Sequence, residues 1–240
     1  MRQFRLAVAF LTAVPTGLGE ESPQKMGSAI PWFPLVGGGI GAFVGGVSWV
    51  AMLWVPPVVA AVLAVVSGLL LTRGFHEDGL ADTADGFGGG WSPSERLAIM
   101  KDSRIGTYGG LALVATVLIR VVLVSELPRD EVVVALIATH TLARSGILIM
   151  MMAIRPARTE GLGVSYLESV SRWRLGFGAM VGVGLASAAV GTDVVPALVA
   201  LMFAVAIMGM LTVRKIRGIS GDVLGATEQV SESAVLLTLV

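Results

Sequence analysis

The chain has 240 residues, of which 55% are hydrophobic and only 14% charged, with a mean hydropathy of +0.82; a soluble domain carries roughly 25% charged residues. The formal net charge is zero, so no basic excess points to nucleic acid as a partner. The absence of cysteine excludes disulfides, thiolate metal sites and cysteine nucleophiles, and leaves oxygen ligands or the two histidines to hold any metal.

The charge deficit falls in long blocks, which makes lipid the solvent for most of the chain. Residues 1–14 read as a short interfacial helix: the apolar run Leu6 to Val14 lacks a small-residue cleavage site and is ended by Pro15. A membrane-spanning helix needs about 20 mainly apolar residues. Blocks at about 32–54, 58–75, 105–125, 132–153, 175–191 and 195–213 meet or approach that length. A weaker seventh runs from about 223 to the end and contains Glu228 and Glu232. The predicted fold is therefore all-α: one polytopic transmembrane helix bundle over 1–240, with six to seven spans and short interfacial helices. Pro56 and Pro57 mark a tight hairpin between the first two spans. Gly37, Gly41 and Gly45, like Gly178 and Gly182, recur every four residues and predict close helix packing.

Charge placement predicts the orientation. One set of connections carries Arg2, Arg5, Lys25, Arg73, Arg96, Lys101, Arg104, Arg155, Arg158, Arg172, Arg174, Arg214, Lys215 and Arg217, which is 14 of the 17 basic residues. The opposite connections hold only Arg129. By the positive-inside rule the first set is cytoplasmic.

The second span runs directly into an acidic stretch at 74–90. Asp78, Asp82 and Asp85 stand at i, i+4 and i+7, so a helix presents all three on one face, with Glu77 near its edge. Asp102 follows, just before the third span. Such carboxylates repel one another unless a hard cation neutralises them, and magnesium typically takes one or two carboxylates plus water and substrate phosphates. Glu77, Asp78, Asp82, Asp85 and Asp102 are accordingly the expected metal ligands. Gly86, Gly88, Gly89 and Gly90 allow tight turns beside a ligand, and Ser92 to Glu95 reads as the start of a short helix at about 93–101. Within the fourth span, His140 and Arg144 share one face. Intramembrane charges generally face the bundle interior, so Arg144 is expected either to neutralise a carboxylate or phosphate or to form an internal ion pair. Arg120 is expected to snorkel towards the outer interface and stay out of the site.

The motifs His76-Glu-Asp-Gly-Leu-Ala-Asp-Thr-Ala-Asp-Gly86 and Met100-Lys-Asp-Ser-Arg-Ile-Gly-Thr-Tyr-Gly109 resemble the signature of the cobalamin synthase family, the adenosylcobinamide-GDP ribazoletransferases. Phe10-Leu-Thr12 with Pro15, Pro34-Leu-Val-Gly37, and Ile219-Ser-Gly-Asp-Val-Leu-Gly-Ala226 with Glu228 extend the likeness along the chain, with a second motif over 214–228. The resemblance implies a magnesium-dependent phosphoryl transfer from adenosylcobinamide-GDP to α-ribazole or its 5′-phosphate, in a bacterial or archaeal cytoplasmic membrane with the site on the cytoplasmic side. It implies Asp82, Asp85 and Asp102 as catalytic residues. His76, Lys101, Ser103, Arg104, Gly106, Arg144, Arg217, Asp222 and Glu228 are the implied substrate contacts. Docking of other cobalamin-assembly enzymes and homo-oligomer formation are compatible with it. Asp82-Thr-Ala-Asp85-Gly86 also matches the start of the CDP-alcohol phosphotransferase pattern, but the Ala-Arg and second aspartate pair of that pattern are missing. A divalent-metal transporter is the third reading, disfavoured because these carboxylates sit at the membrane margin rather than its midplane.

Overall fold

The computed structural model describes residues 1–18, 26–157 and 170–240. Lys25 and Arg158, two of the charges used for orientation, lie outside the described residues. The elements in chain order are α1 (Arg2–Leu11), a 3₁₀ turn (Ile30–Trp32), α2 (Phe33–Ala51), α3 (Pro57–Thr72), α4 (Phe75–Gly89), α5 (Pro93–Ile99), α6 (Thr107–Glu126), α7 (Val132–Ala153), α8 (Arg172–Val190), a 3₁₀ turn (Gly191–Asp193), α9 (Val194–Ile216) and α10 (Gly221–Leu236). Among the described residues there is no strand, only an isolated bridge between Pro156 and Ile219. The all-α bundle expected from the sequence is the one observed.

Helix α1 buries Leu6, Ala7 and Leu11 and exposes Arg2 and Arg5, the two-sided character of a helix lying at an interface. Helix α7 is the centre of the bundle, with 78% of its apolar window buried, against 22% for α6 at the periphery. Outward-facing Leu63, Leu70, Leu111, Leu118, Met202 and Phe203 leave an apolar exterior that only lipid would solvate. Exposed Trp91 and Trp173 lie at one end, and Trp49 and Trp54 at the other, as interfacial belts require.

Neighbour registers give the directions. The space a side chain would need at Gly37 is taken by His140 and Arg144, at Gly41 by Leu136 and at Gly45 by Val133, so α2 runs antiparallel to α7 with almost no gap. Gly178 meets Leu148 and Gly182 meets Ser145, which makes α8 antiparallel to α7. Gly146 meets Leu201 and Val205 while Gly209 meets Met150 and Ile154, which makes α9 parallel to it. Gly37, Gly41, Gly45 and Gly178 thus meet neighbouring backbone, and Gly182 meets the Ser145 and Pro34 side chains.

Four apolar helical stretches are long enough to cross a membrane: Ile30–Ala51, Thr107–Glu126, Val132–Ala153 and Arg172–Ile216. The last, at 45 residues, would extend roughly 68 Å as one rod, more than twice the hydrocarbon thickness of about 30 Å. Because α8 and α9 run in opposite senses, it is two crossings that reverse at Gly191, whose φ is 58°. Helix α3 is shorter, at 16 residues, and turns by 90° into α4. The seventh block forms α10, also 16 residues long, wedged among α4, α7 and α9 with Glu228 and Glu232 inside. It is too polar to pass as an apolar span and is instead a core element.

Candidate active site

Helix α4 leaves α3 through Arg73 and Gly74, both left-handed (φ 57° and 64°). This double reversal ends the spanning segment and lays the acidic helix across the end of the bundle, with Glu77 and Asp78 in its first turn, where the helix dipole favours negative charge. Helix α4 crosses α10 at Gly79. A β-carbon there would come within 2.7 Å of the Asp222 carbonyl oxygen, so glycine is what lets α10 bring Asp222 to the acidic helix. Asp78 and Asp82 border a cleft of about 610 Å³ with Arg73, Ser103, Ile105, Thr12 and Phe10. Partial burial, with Asp78, Asp222 and Asp85 close by, pushes the Asp82 carboxyl up to about 6. Asp78 and Asp82 offer hard oxygen donors on the cleft wall, the donor type that a divalent cation such as magnesium takes.

Asp85 has a different setting. Its Oδ2 accepts from Gly106 N at 2.7 Å and its Oδ1 from Gly109 N at 2.8 Å. It therefore satisfies two otherwise unpaired amides at the start of α6. Gly106, expected to offer its N–H to substrate, gives it to Asp85 instead. Asp102 is gripped by Arg104, whose Nη2 donates to Oδ2 at 2.6 Å and whose Nε donates to Oδ1 at 3.0 Å. The pair is solvent-exposed, and the Arg104 hydrogen bonds lower the Asp102 carboxyl to about 2. Asp85, Asp102 and Arg104 border a second, shallower recess with Thr107 and Tyr108.

Beneath the cleft lies a buried ionic network. Arg120 Nη1 donates to Glu77 Oε1 at 3.0 Å and to Glu232 Oε1 at 3.2 Å. Glu232 also faces His140 Nδ1 at 3.1 Å and Arg144 Nη1 at 3.3 Å. Arg144 contacts Glu228, which in turn meets His76 Nδ1 at 3.3 Å and accepts from Gln229 Nε2 at 2.9 Å. Three carboxylates thus meet two guanidiniums away from water. His140, Glu228 and Glu232 lie close enough to share a metal ion, yet Arg120 and Arg144 already supply positive charge there, so this group does not need one.

The structure sorts the predicted residues into three settings. Asp78, Asp82 and Ser103 line the cleft, and Asp222 packs its backbone on Gly79 beside them without lining it. Asp85, Asp102, Arg104 and Gly106 form the adjoining structural contacts. His76, Glu77, Arg144 and Glu228 belong to the network; Glu77 touches the cleft, but Arg120 claims its carboxylate. Arg144 and Glu228 are almost fully buried and face each other rather than a substrate. The expectation for Arg120 needs correction: it is buried and ion-paired, because a guanidinium inside a bundle is more stable beside carboxylates than reaching past lipid. Glu232 joins the network from outside the expected site residues, and its i, i+4 spacing from Glu228 is the signal that puts both on one helical face. Lys101 and Arg217 are exposed, Arg217 at a left-handed turn with φ 62°. Lys215 instead donates to the Phe87 carbonyl at 3.1 Å and ties α9 to α4.

Comparison with known proteins places these residues in a wider set. The family model described as Cobalamin-5-phosphate synthase matches residues 3–240. An adenosylcobinamide-GDP ribazoletransferase of Shewanella piezotolerans is 38% identical, over 98% of this chain and 93% of its own. One of Chlorobaculum tepidum is 37% identical, over 96% of this chain and 92% of its own. No solved structure matches the chain.

Proposed function

Because the chain belongs to the cobalamin-5-phosphate synthase family and is a transferase of cobalamin biosynthesis, we propose that its acidic cleft catalyses a magnesium-dependent phosphoryl transfer from adenosylcobinamide-GDP to α-ribazole or α-ribazole 5′-phosphate. The observation that carries this reading is that Asp78 and Asp82 line one open cleft, with the Asp222 backbone packed on Gly79 between them in the chain. Asp78, Asp82 and Asp222 are the residues that would hold magnesium. When bound, the ion supplies positive charge to the diphosphate oxygens. A ribose hydroxyl oxygen that is free in both α-ribazole and its 5′-phosphate forms a bond to the phosphorus nearest the corrinoid. The bridging P–O bond to GMP breaks, and the hydroxyl proton passes to a carboxylate of the cleft.

Each neighbouring group has a part in this scheme. Asp85 holds the start of α6, and with it Gly106, against the acidic helix. The Asp102–Arg104 pair sits in the loop leading into α6, where the guanidinium, 85% exposed, is free to turn one edge to a phosphate. The buried network fixes α4 from below through Glu77. The cleft lies at the arginine- and lysine-rich end of the bundle, which supports a cytoplasmic active face on the inner membrane.

The test is direct. Purified protein incubated with adenosylcobinamide-GDP, α-ribazole and magnesium is expected to release GMP and form a cobalamin in equal amounts, and to stop when the metal is chelated. Asp82→Ala is expected to retain under a tenth of wild-type turnover, a barrier increase of more than about 1.4 kcal/mol, with an unchanged melting temperature in detergent. Turnover by the chelated enzyme, or an active Asp82→Ala, would remove the metal-bearing role of this cleft.

A further inference from the structure

A second cavity adjoins the acidic cleft and differs from it in chemistry. It holds about 100 Å³ and is walled mainly by Phe10, Phe33, Phe75, Met151 and Leu224, with His76 as its polar side chain. Phe10 and Phe75 also border the acidic cleft, so the two spaces meet along one pair of rings. Phe10 stacks on Phe33 with centroids 5.5 Å apart and meets Phe75 edge-on at 5.0 Å. These rings form an aromatic wall, while Met26 and Met151 can adjust to a guest's outline.

We propose that this pocket receives the flat apolar base of the acceptor nucleoside and so sets a free hydroxyl of its ribose in the acidic cleft. The inference rests on the acceptor being α-ribazole, as proposed above. Of the two substrates, the donor carries a charged diphosphate, a guanine and polar amides, each of which would lose hydrogen bonds to water against apolar walls. Only the acceptor joins an apolar two-ring base to a hydroxylated sugar, which matches an apolar pocket opening onto a polar cleft. Apolar protein cavities of roughly 150 Å³ take up a benzene ring, so a space of about 100 Å³ takes the base only in part, and its remainder lies past Phe10 and Phe75 at the cleft. Gly221 and Gly225 of α10 also line the cavity and add no side chain to obstruct it.

Steady-state kinetics of the purified enzyme test the assignment. Leu224→Trp, which fills the pocket, is expected to raise KM for α-ribazole by about tenfold or more while KM for adenosylcobinamide-GDP stays within about twofold. The free base, 5,6-dimethylbenzimidazole, is expected to inhibit wild type competitively against α-ribazole and not against the donor. Should Leu224→Trp fail to fold, as judged by size exclusion in detergent, the inhibition pattern on wild type decides alone. Unchanged acceptor KM in the folded variant, or absence of competition by the free base, overturns the proposal, the pocket then being filled by a lipid chain or serving only as packing. Wild-type production of GMP and cobalamin in the same assays keeps the reaction itself standing, so loss of the pocket assignment is distinct from loss of the proposed function.

Discussion

Asp82 and Glu232 are both acidic residues close to a spanning helix, yet their surroundings direct them to different work. Asp82 borders the cleft and is crowded by other carboxylates, which raises its carboxyl from the ordinary 3.8 to about 6. Between those values the folded state binds the proton more tightly than the unfolded chain, so Asp82 lowers stability as pH rises through that window. In metal-free protein the denaturation midpoint is expected to fall with rising pH in this interval more for wild type than for Asp82→Asn. Screening keeps the difference small because the group is largely solvated, and identical pH profiles for the two proteins would show that the crowding is absent. Glu232, by contrast, is buried against Arg120, His140 and Arg144. Removing one partner of a buried ion pair leaves the others uncompensated, so Glu232→Ala is expected to cost about 3–5 kcal/mol. The measurement is a denaturant or thermal midpoint in detergent, and a shift near zero would mean that water reaches the network.

At the scale of elements, the contact between α2 and α7 depends on what α2 lacks. Gly41 faces the Leu136 backbone, and nothing larger than hydrogen fits there. Gly41→Val is expected to force the helices apart at a cost of about 1–3 kcal/mol. Gly39, two residues earlier, has open space around its α-carbon. Gly39→Ala is therefore expected to leave stability unchanged or raise it by up to about 1 kcal/mol through helix propensity. A melting temperature lowered equally by both variants would point to glycine flexibility rather than close packing. The same logic operates at Gly79, where the missing side chain admits the Asp222 backbone and so couples packing directly to the acidic cleft.

At the scale of the whole molecule, the reentry of the chain at Arg73 and Gly74 and its reversal at Gly191 put the acidic helix, the 90–106 loop and the 214–220 turn at one end of the bundle. The 127–131 connection lies at the other. The native chain has no cysteine, so single cysteines report cleanly on this arrangement. Asp130→Cys is expected to react with an impermeant thiol reagent outside intact cells, and Ser92→Cys only after the membrane is opened. The reverse labelling pattern would invert the proposed orientation.

Composition and periodicity alone determined the membrane class, the apolar helices, the reversal at Pro56–Pro57, the capped helix after Ser92 and the acidic helix with its carboxylates. Each of these follows from neighbours within a few turns, and the capping box of Ser92 and Glu95 shows how local the signal is. The family motifs were legible for the same reason, as contiguous runs at 76–90 and 100–109. Only the tertiary structure decided what each charge faces. Glu77 and Asp78 are adjacent in the chain, yet one is turned inward to Arg120 and the other outward to the cleft, a difference of helical phase that has no meaning until the neighbouring helices are in place. Arg120 reads locally as a residue near a span end, but Glu77 and Glu232, 43 and 112 positions away, make its interior position the stable one. Ion pairs in a low-dielectric core are set by distances between elements, and those distances are properties of helix packing rather than of any sequence window.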